Sequence, residues 1–355
     1  MSSSLTELLR HPIVQAPLAG GASCPALAAA VSGAGGLGFL AAGYRGADDV
    51  RDQVKETKEL TSRPFGVNLF LPQPAGDPEA VAAYAGHLAE EADRYAAPLG
   101  PVPEGALDDA YEDKVEVLLA DPVPVVSFTF GCPTRDVLDA FQRVGTVTVV
   151  TVTTPEEARA AQWAGADAVC VQGVEAGGHQ GTHRDDPACD GAGIGLLALV
   201  SQVRETVPLP LVAAGGLMRG AQIAGVLAAG AQAAQLGTAF LPCPESGASP
   251  LHKAALTNPL FVRTELTRAF SGRPARGLVN RFVREHGPQA PAAYPEVHHL
   301  TSGLRKAAAT AGDAQGMALW AGQGHRMART LPAARLVETL AAETRTAAAA
   351  LGGAA

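Results

Sequence analysis

The chain has 355 residues, 47% hydrophobic and 17% charged, with a formal net charge of −8. This composition excludes a disordered chain, and the length suits one large barrel or two smaller domains. The acidic balance, with no basic run and no aromatic–basic interleaving, argues against nucleic acid as the main partner. Five cysteines (Cys24, Cys132, Cys170, Cys189 and Cys243) form no C-x-x-C pair and match no zinc spacing, so reduced thiols in a cytoplasm are the simplest expectation. The opening MSSSLTELLRHP lacks the apolar core of a signal peptide. No uninterrupted apolar run reaches the ~18 residues of a spanning helix.

Residues 13–19, IVQAPLA, read as a buried strand ended by Pro17 and Gly20-Gly21. An Ala-rich helix follows over 24–34, with Pro25 in its first turn, and residues 37–42 form the second strand. The string from Gly33 to Gly38 resembles a dinucleotide fingerprint, but it follows a helix and opens a strand, the reverse of what that fingerprint requires. Residues 48–60 are helix-compatible, and 65–71, FGVNLFL, form a third strand carrying one amide, Asn68. Residues 73–112 break the rhythm as a helical excursion rich in Pro, Ala, Asp and Glu. Strands then return at 124–129, 146–153, 166–172, 209–214 and 231–236, most of them followed by a helix. Eight apolar strands alternating with helices predict parallel pairing with helices outside, the count of an α/β (β/α)8 TIM barrel. A doubly wound open sheet has the same alternation.

Beyond residue 241 the alternation stops, and 246–330 read as a mainly helical cap containing His298-His299, which are expected at its surface. Residues 333–351 read as a last outer helix. The barrel is thus expected from 1–72, 113–245 and 331–355, with 73–112 a separate excursion.

Barrel active sites lie where the strands end, and six strand ends carry informative residues: Ala16 and Pro17; Asn68; Ser127 and Thr129; Gln172 with Glu175, Gly177, Gly178 and His179; Gly215 and Gly216; and Gln235, Leu236, Gly237 and Thr238. The last two sets match the position at which barrels often hold phosphate on bare backbone N–H groups. The amides Asn68, Gln172 and Gln235 suit a flat heterocycle, so FMN fits, and a sugar phosphate fits the same physics. His179 on its Gly-Gly loop is the candidate catalytic group. Glu175 is either its partner or a loop cap. His179 and His183 have i, i+4 spacing, but the surrounding glycines make a helical metal site improbable, and no metal is expected.

Several segments carry a closer resemblance: QAPLAGG (15–21), PFGVNLF (64–70), VSFTFGCP (126–133), QGVEAGGHQG (172–181), PLVAAGGL (210–217), AQLGTAFL (234–241), FSGRPARGLVNRF (270–282) and LWAGQG (319–324). In order and across nearly the whole chain, they resemble the nitronate monooxygenase family, formerly the 2-nitropropane dioxygenases. The first motif has Leu18 where the family usually has Met, and the Thr182–Gly195 loop is distinctive. The resemblance implies tightly bound FMN and oxidation of alkyl nitronates of the propionate 3-nitronate type by O2. The products would be a carbonyl compound with nitrite and nitrate, formed without NAD(P)H. It places His179 on the family's catalytic histidine, and Ala16, Pro17, Asn68, Gln172, Gly177, Gly178, Gly215, Gly216 and Gln235 to Thr238 at the FMN. Tyr111 and Tyr294 match the family's substrate-side aromatics loosely. The same barrel also resembles FMN-dependent enoyl-ACP reductases, which use NAD(P)H. A flavin oxidase or dehydrogenase of a natural-product intermediate, or a flavin-binding barrel without turnover, are further alternatives.

Overall fold

A computed structural model describes residues 5–102, 107–189 and 193–352. Residues 190–192 of the Thr182–Gly195 loop, and the Cys189 side chain, lie outside that description.

Eight parallel strands form the barrel: β1 (Ile13–Gln15), β2 (Gly38–Ala41), β3 (Phe65–Phe70), β4 (Val125–Thr129), β5 (Val147–Val152), β6 (Ala168–Gln172), β8 (Leu211–Ala214) and β9 (Ala233–Leu236). The short β7 (Gly178–His179) lies outside it. The order is β1-β9-β8-β6-β5-β4-β3-β2. A parallel bridge between Val14 and Leu37 joins the ends of that order, with hydrogen bonds from Gln15 N to Leu37 O (2.9 Å) and from Leu37 N to Ile13 O (3.0 Å). That closure distinguishes the barrel from the open doubly wound sheet.

Strand residues alternate between two cores, as a period of two dictates. Val14, Val125, Val147, Val149, Cys170 and Val212 fill the barrel interior, joined by Leu5 from the N-terminal turn. Their neighbours Ile13, Val126, Val150, Val152, Val171 and Leu211 face the outer helices. Burial on both faces explains why these strands read as unbroken apolar runs.

The outer layer contains α1 (Pro25–Gly33), α2 (Ala47–Leu60), α5 (Tyr111–Ala120), α6 (Arg135–Arg143), α7 (Pro155–Ala164), α8 (Leu196–Thr206), α9 (Gly220–Ala228) and α13 (Ala333–Gly352). Helix α13 packs on α9 and α1. Local signals set the starts: Thr154 caps α7 through the Glu157 N–H, with Pro155 in the first turn. Among the described residues, no helix is long and apolar enough to cross a membrane.

The remaining segments lie over the strand ends. They comprise α3 (Pro78–His87), α4 (Ala89–Arg94), α10 (Pro250–Ala255), α11 (Arg281–His286) and α12 (Glu296–Thr310). Val81, Tyr84 and Leu88 share one apolar cluster with Phe270, Phe282, Val297 and Leu300. Residues 81–102 of the excursion are therefore packed against the later segment, whereas Tyr111 at its end joins the barrel core.

Residues 246–330 also contain strands, contrary to the sequence expectation. β10 (Thr264–Thr267) and β11 (Ala275–Leu278) pair antiparallel, and β11 pairs with β7 through Ala275–His179 and Arg276–Gly178. The pattern was hidden because β11 buries a cation. Arg276 is 6% exposed, and its Nε donates to Val174 O at 2.9 Å. A hydrogen-bonded arginine disguises the apolar period expected of a buried strand.

Candidate active site

A cavity of about 410 Å³ opens at the C-terminal ends of the barrel strands. Of the residues singled out from sequence, Ala16, Pro17, Asn68, Gln172, Gly177, Gly178, His179, Gly215, Gly216, Gln235, Gly237 and Thr238 all line it. Leu236 does not: its side chain joins the core between sheet and helices, because alternation along β9 turns it outward while Gln235 faces in. Tyr111, expected near the substrate, is likewise in that core, and its hydroxyl has no partner among the described residues. Tyr294 borders the site, with its ring 5.6 Å from that of His179.

The Gly-Gly-His segment is pinned rather than loose. Gln172 clamps both sides of His179: its Nε2 donates to His179 O (3.1 Å) and its Oε1 accepts from Gly181 N (2.7 Å). Gln180 N donates to Pro274 O at 2.8 Å, continuing the β7–β11 pairing. Gly177 lies against backbone, since a Cβ there would sit 2.4 Å from Gly322 N. Glu175 is the cap, with both carboxylate oxygens accepting from Leu196 N (2.9 and 3.0 Å) at the start of α8.

The His179 Nε2 lies 2.9 Å from Ser271 Oγ, and Ser271 Oγ donates to Arg273 O at 3.3 Å. With that hydroxyl proton committed, Nε2 carries the imidazole N–H and Nδ1 is left as the lone-pair nitrogen. Phe130, Tyr294 and Trp320 surround the ring at 5.6–5.7 Å. What exposure His179 keeps is to the cavity. Burial, with Arg273 and Arg305 adding repulsion, pulls its pKa down to about 3, so the imidazole is neutral at ordinary pH. His183 has other partners: its ring accompanies Thr151 O (2.9 Å) and its N–H donates to Glu157 (2.7 Å). The two histidines do not converge on a common point.

The donor set fits a flat phosphate-bearing cofactor. Gly215 has φ +136°, a backbone that an L side chain adopts only with strain. Among the described residues, no acceptor meets the backbone N–H groups of Gly215, Gly216 or Thr238. The Thr238 hydroxyl accepts from Gly322 N (2.9 Å), leaving its proton to donate. These groups stand at the mouths of β8 and β9, where they can receive a phosphate. Asn68 Nδ2 is committed to Ser127 Oγ (2.9 Å) and Thr129 Oγ1 (3.0 Å), and Gln235 Nε2 to Cys170 Sγ (3.3 Å). Their carbonyl oxygens remain as acceptors for ring N–H groups. A cavity of this size is in the usual range for such ligands.

Several site residues escaped sequence reasoning. Tyr44 and Phe130 line the cavity with φ of 67° and 76°, strain of the kind found at functional sites. Trp320 and Gly322 come from the WAGQG segment, and His252 Nε2 holds that segment by donating to Trp320 O (2.9 Å). His298, expected at the surface, stacks on Tyr44 at 3.9 Å and 4°, and burial pulls its pKa down to about 2. Arg305 lines the cavity from the middle of α12. The left-handed backbone at Tyr44 and Phe130 and the register of α12 leave no mark in a single sequence. A motif signal existed only for Phe130, inside the 126–133 segment, and for Trp320 and Gly322.

The nitronate monooxygenase family model matches residues 2–343. A nitronate monooxygenase of Pseudomonas aeruginosa strain PAO1 is 44% identical over 357 residues, covering 97% of this chain and 100% of that protein. One from Paraburkholderia phytofirmans strain PsJN is 40% identical over 345 residues, covering 94% and 92%. The crystal structure of a nitroalkane oxidase from Streptomyces ansochromogenes aligns with a TM-score of 0.96 at 68% identity, covering 98% of this chain and 100% of that one. The match runs through barrel, cap segments and cavity alike, and the chain belongs to the nitronate monooxygenase family, a family of flavoenzymes.

Proposed function

We propose that this chain binds FMN and oxidises alkyl nitronates of the propionate 3-nitronate type with O2, giving a carbonyl compound with nitrite and nitrate, without NAD(P)H. The observation that carries this reading is the electrostatics of the cavity. Among the described residues no carboxylate lines it, Arg305 is its one permanently charged side chain, and a neutral His179 faces it. Such a site favours an anion, and a nitronate is an anion that needs no strong base to remove a proton.

Gly215, Gly216 and Thr238 would hold the FMN phosphate, and Asn68 and Gln235 would accept from the ring. Bound there, the flavin supplies the electron acceptor and the centre that meets oxygen. Ser271 fixes the tautomer of His179, so that Nδ1 can take up or relay a proton at the nitro group. Phe130, Tyr294 and Trp320 exclude water around it. Residues 73–102 and 246–330 together act as the cap that decides the substrate, over the barrel. The four free thiols among the described residues suit a cytoplasmic setting.

The test is anaerobic mixing of purified protein with propionate 3-nitronate and, separately, with NADPH, while following flavin absorbance. Rapid bleaching by the nitronate alone is expected. Bleaching by NADPH alone would transfer the assignment to a reductase, and a colourless protein that FMN cannot reconstitute would overturn the cofactor. His179→Asn should keep its yellow colour and lose most turnover, and wild-type turnover in that variant would refute the role of His179.

A further inference from the structure

Arg305 has no counter-ion. Among the described residues no carboxylate pairs with it, and its Nε is cut off from solvent without any hydrogen-bond acceptor. The guanidinium is anchored at one corner only, where Nη2 donates to the carbonyl of His298 at 2.8 Å and lies 3.4 Å from His298 Nδ1. His298 is itself fixed by stacking on Tyr44, so the residue that anchors the guanidinium is held in place. Arg273, the other arginine near His179, is spent differently. It donates to Gln73 Oε1 at 2.6 Å and to Thr182, and covers the Phe130 ring at 4.2 Å.

A half-buried guanidinium without a counter-ion, its Nε cut off from solvent, is costly. Holding one backbone carbonyl does not justify it, because a glutamine makes the same bond without a charge. The donors left over face a cavity that contains no acid among its described residues. The neighbours of Arg305 are His298 and Tyr44, whereas the phosphate donors are at Gly215, Gly216 and Thr238. Arg305 has no direct hydrogen bond to His179, so its position is offset from the atom that meets the nitro group.

We propose that Arg305 is the specificity-determining residue that receives a second negative charge on the substrate, a carboxylate remote from the nitronate carbon. The site then selects dianionic nitronates over those with an apolar tail. The planar fork of the guanidinium matches a carboxylate in two-point contact. This inference rests on the nitronate reading above.

The experiment is steady-state kinetics of the FMN-loaded enzyme with propionate 3-nitronate and with butyl-1-nitronate, in which a methyl-bearing carbon replaces the carboxylate. Wild type should prefer the dianion by about 30-fold in kcat/KM, the worth of one charge-assisted contact. In Arg305→Met the ratio of the two values should collapse to within about threefold, whatever the absolute rates. Arg305→Lys, which keeps the charge but loses the fork, should retain an intermediate ratio and serves as the second variant if Arg305→Met does not fold. A ratio preserved in either variant while both rates fall together would overturn the proposal, as would equal kcat/KM for the two nitronates in wild type. Turnover of neither nitronate by wild type would instead overturn the functional reading on which it rests.

Discussion

Gly177→Ala tests the docking of the cap segment on the Gly-Gly-His loop. No positive φ is found at Gly177, so alanine meets no backbone penalty there, and the effect is steric alone. The added Cβ would lie 2.4 Å from Gly322 N, 2.5 Å from Ala321 C and 2.9 Å from Ala321 Cα. All three are backbone atoms and cannot rotate away. Contact near 3.4 Å requires the two chains to part by about 1 Å. Gln323 N to Glu175 O (3.0 Å) spans that seam, and Gly322 N to Thr238 Oγ1 (2.9 Å) ties the same cap segment to the end of β9, so displacing the segment strains both. Losing both, at about 1 kcal/mol each, with about 1 kcal/mol of overpacking strain, gives a loss of about 3 kcal/mol. The assays are urea unfolding and the fraction of flavin retained after gel filtration. Lower stability should accompany weaker flavin retention, because Thr238 is one of the phosphate donors we propose. An alanine variant with wild-type stability and full flavin content would refute the close approach of the two segments.

Ser271→Ala should leave the Nε2 proton of a buried imidazole without an acceptor, costing about 1–3 kcal/mol of stability. It should also lower kcat about tenfold by releasing the tautomer, with an altered pH–rate profile; an unchanged profile would make Ser271 a packing residue only. Stability should fall on mild acidification, since the folded pKa values of His179 and His298 lie near 3 and 2, below the unfolded value of 6.5. The unfolded chain therefore binds these protons first, and the stabilisation present above pH 6.5 is lost at about 1.4 kcal/mol per histidine per pH unit as the pH falls toward those values. Urea unfolding between pH 7.5 and 5, above the range where ordinary carboxylates titrate, should show a slope to which His252, His286 and His299, their pKa values also lowered by burial, add their share, and His298→Asn should reduce it by one proton's worth, about 1.4 kcal/mol per pH unit; a profile unchanged in that variant would contradict the burial of the His298 ring. Tyr111→Phe removes a buried hydroxyl with no partner among the described residues, so it should be neutral or stabilising by about 1 kcal/mol. KM for the nitronate should not change, and a raised KM would return Tyr111 to the substrate site.

The barrel and part of the cavity rim at its strand ends were legible from sequence, and the reason is local. Strands buried on both faces need runs of residues such as Val147–Val152, and the polar residues that stop those runs mark the strand ends, where a barrel keeps its site. The cap was much less legible. β11 hides its period behind Arg276, whose burial depends on a carbonyl 102 residues away at Val174. His298 reads as a surface residue until Tyr44 closes over it, and Arg305 reads as an ordinary helix cation until α12 is laid across the barrel mouth. Sequence by itself picked out strand-end residues that the fold gathers around one cavity, because those belong to short contiguous segments. Tertiary structure alone decided the protonation of His179, its Ser271 partner and the unpaired charge of Arg305, because burial and electrostatic fields arise only when distant segments enclose the same space.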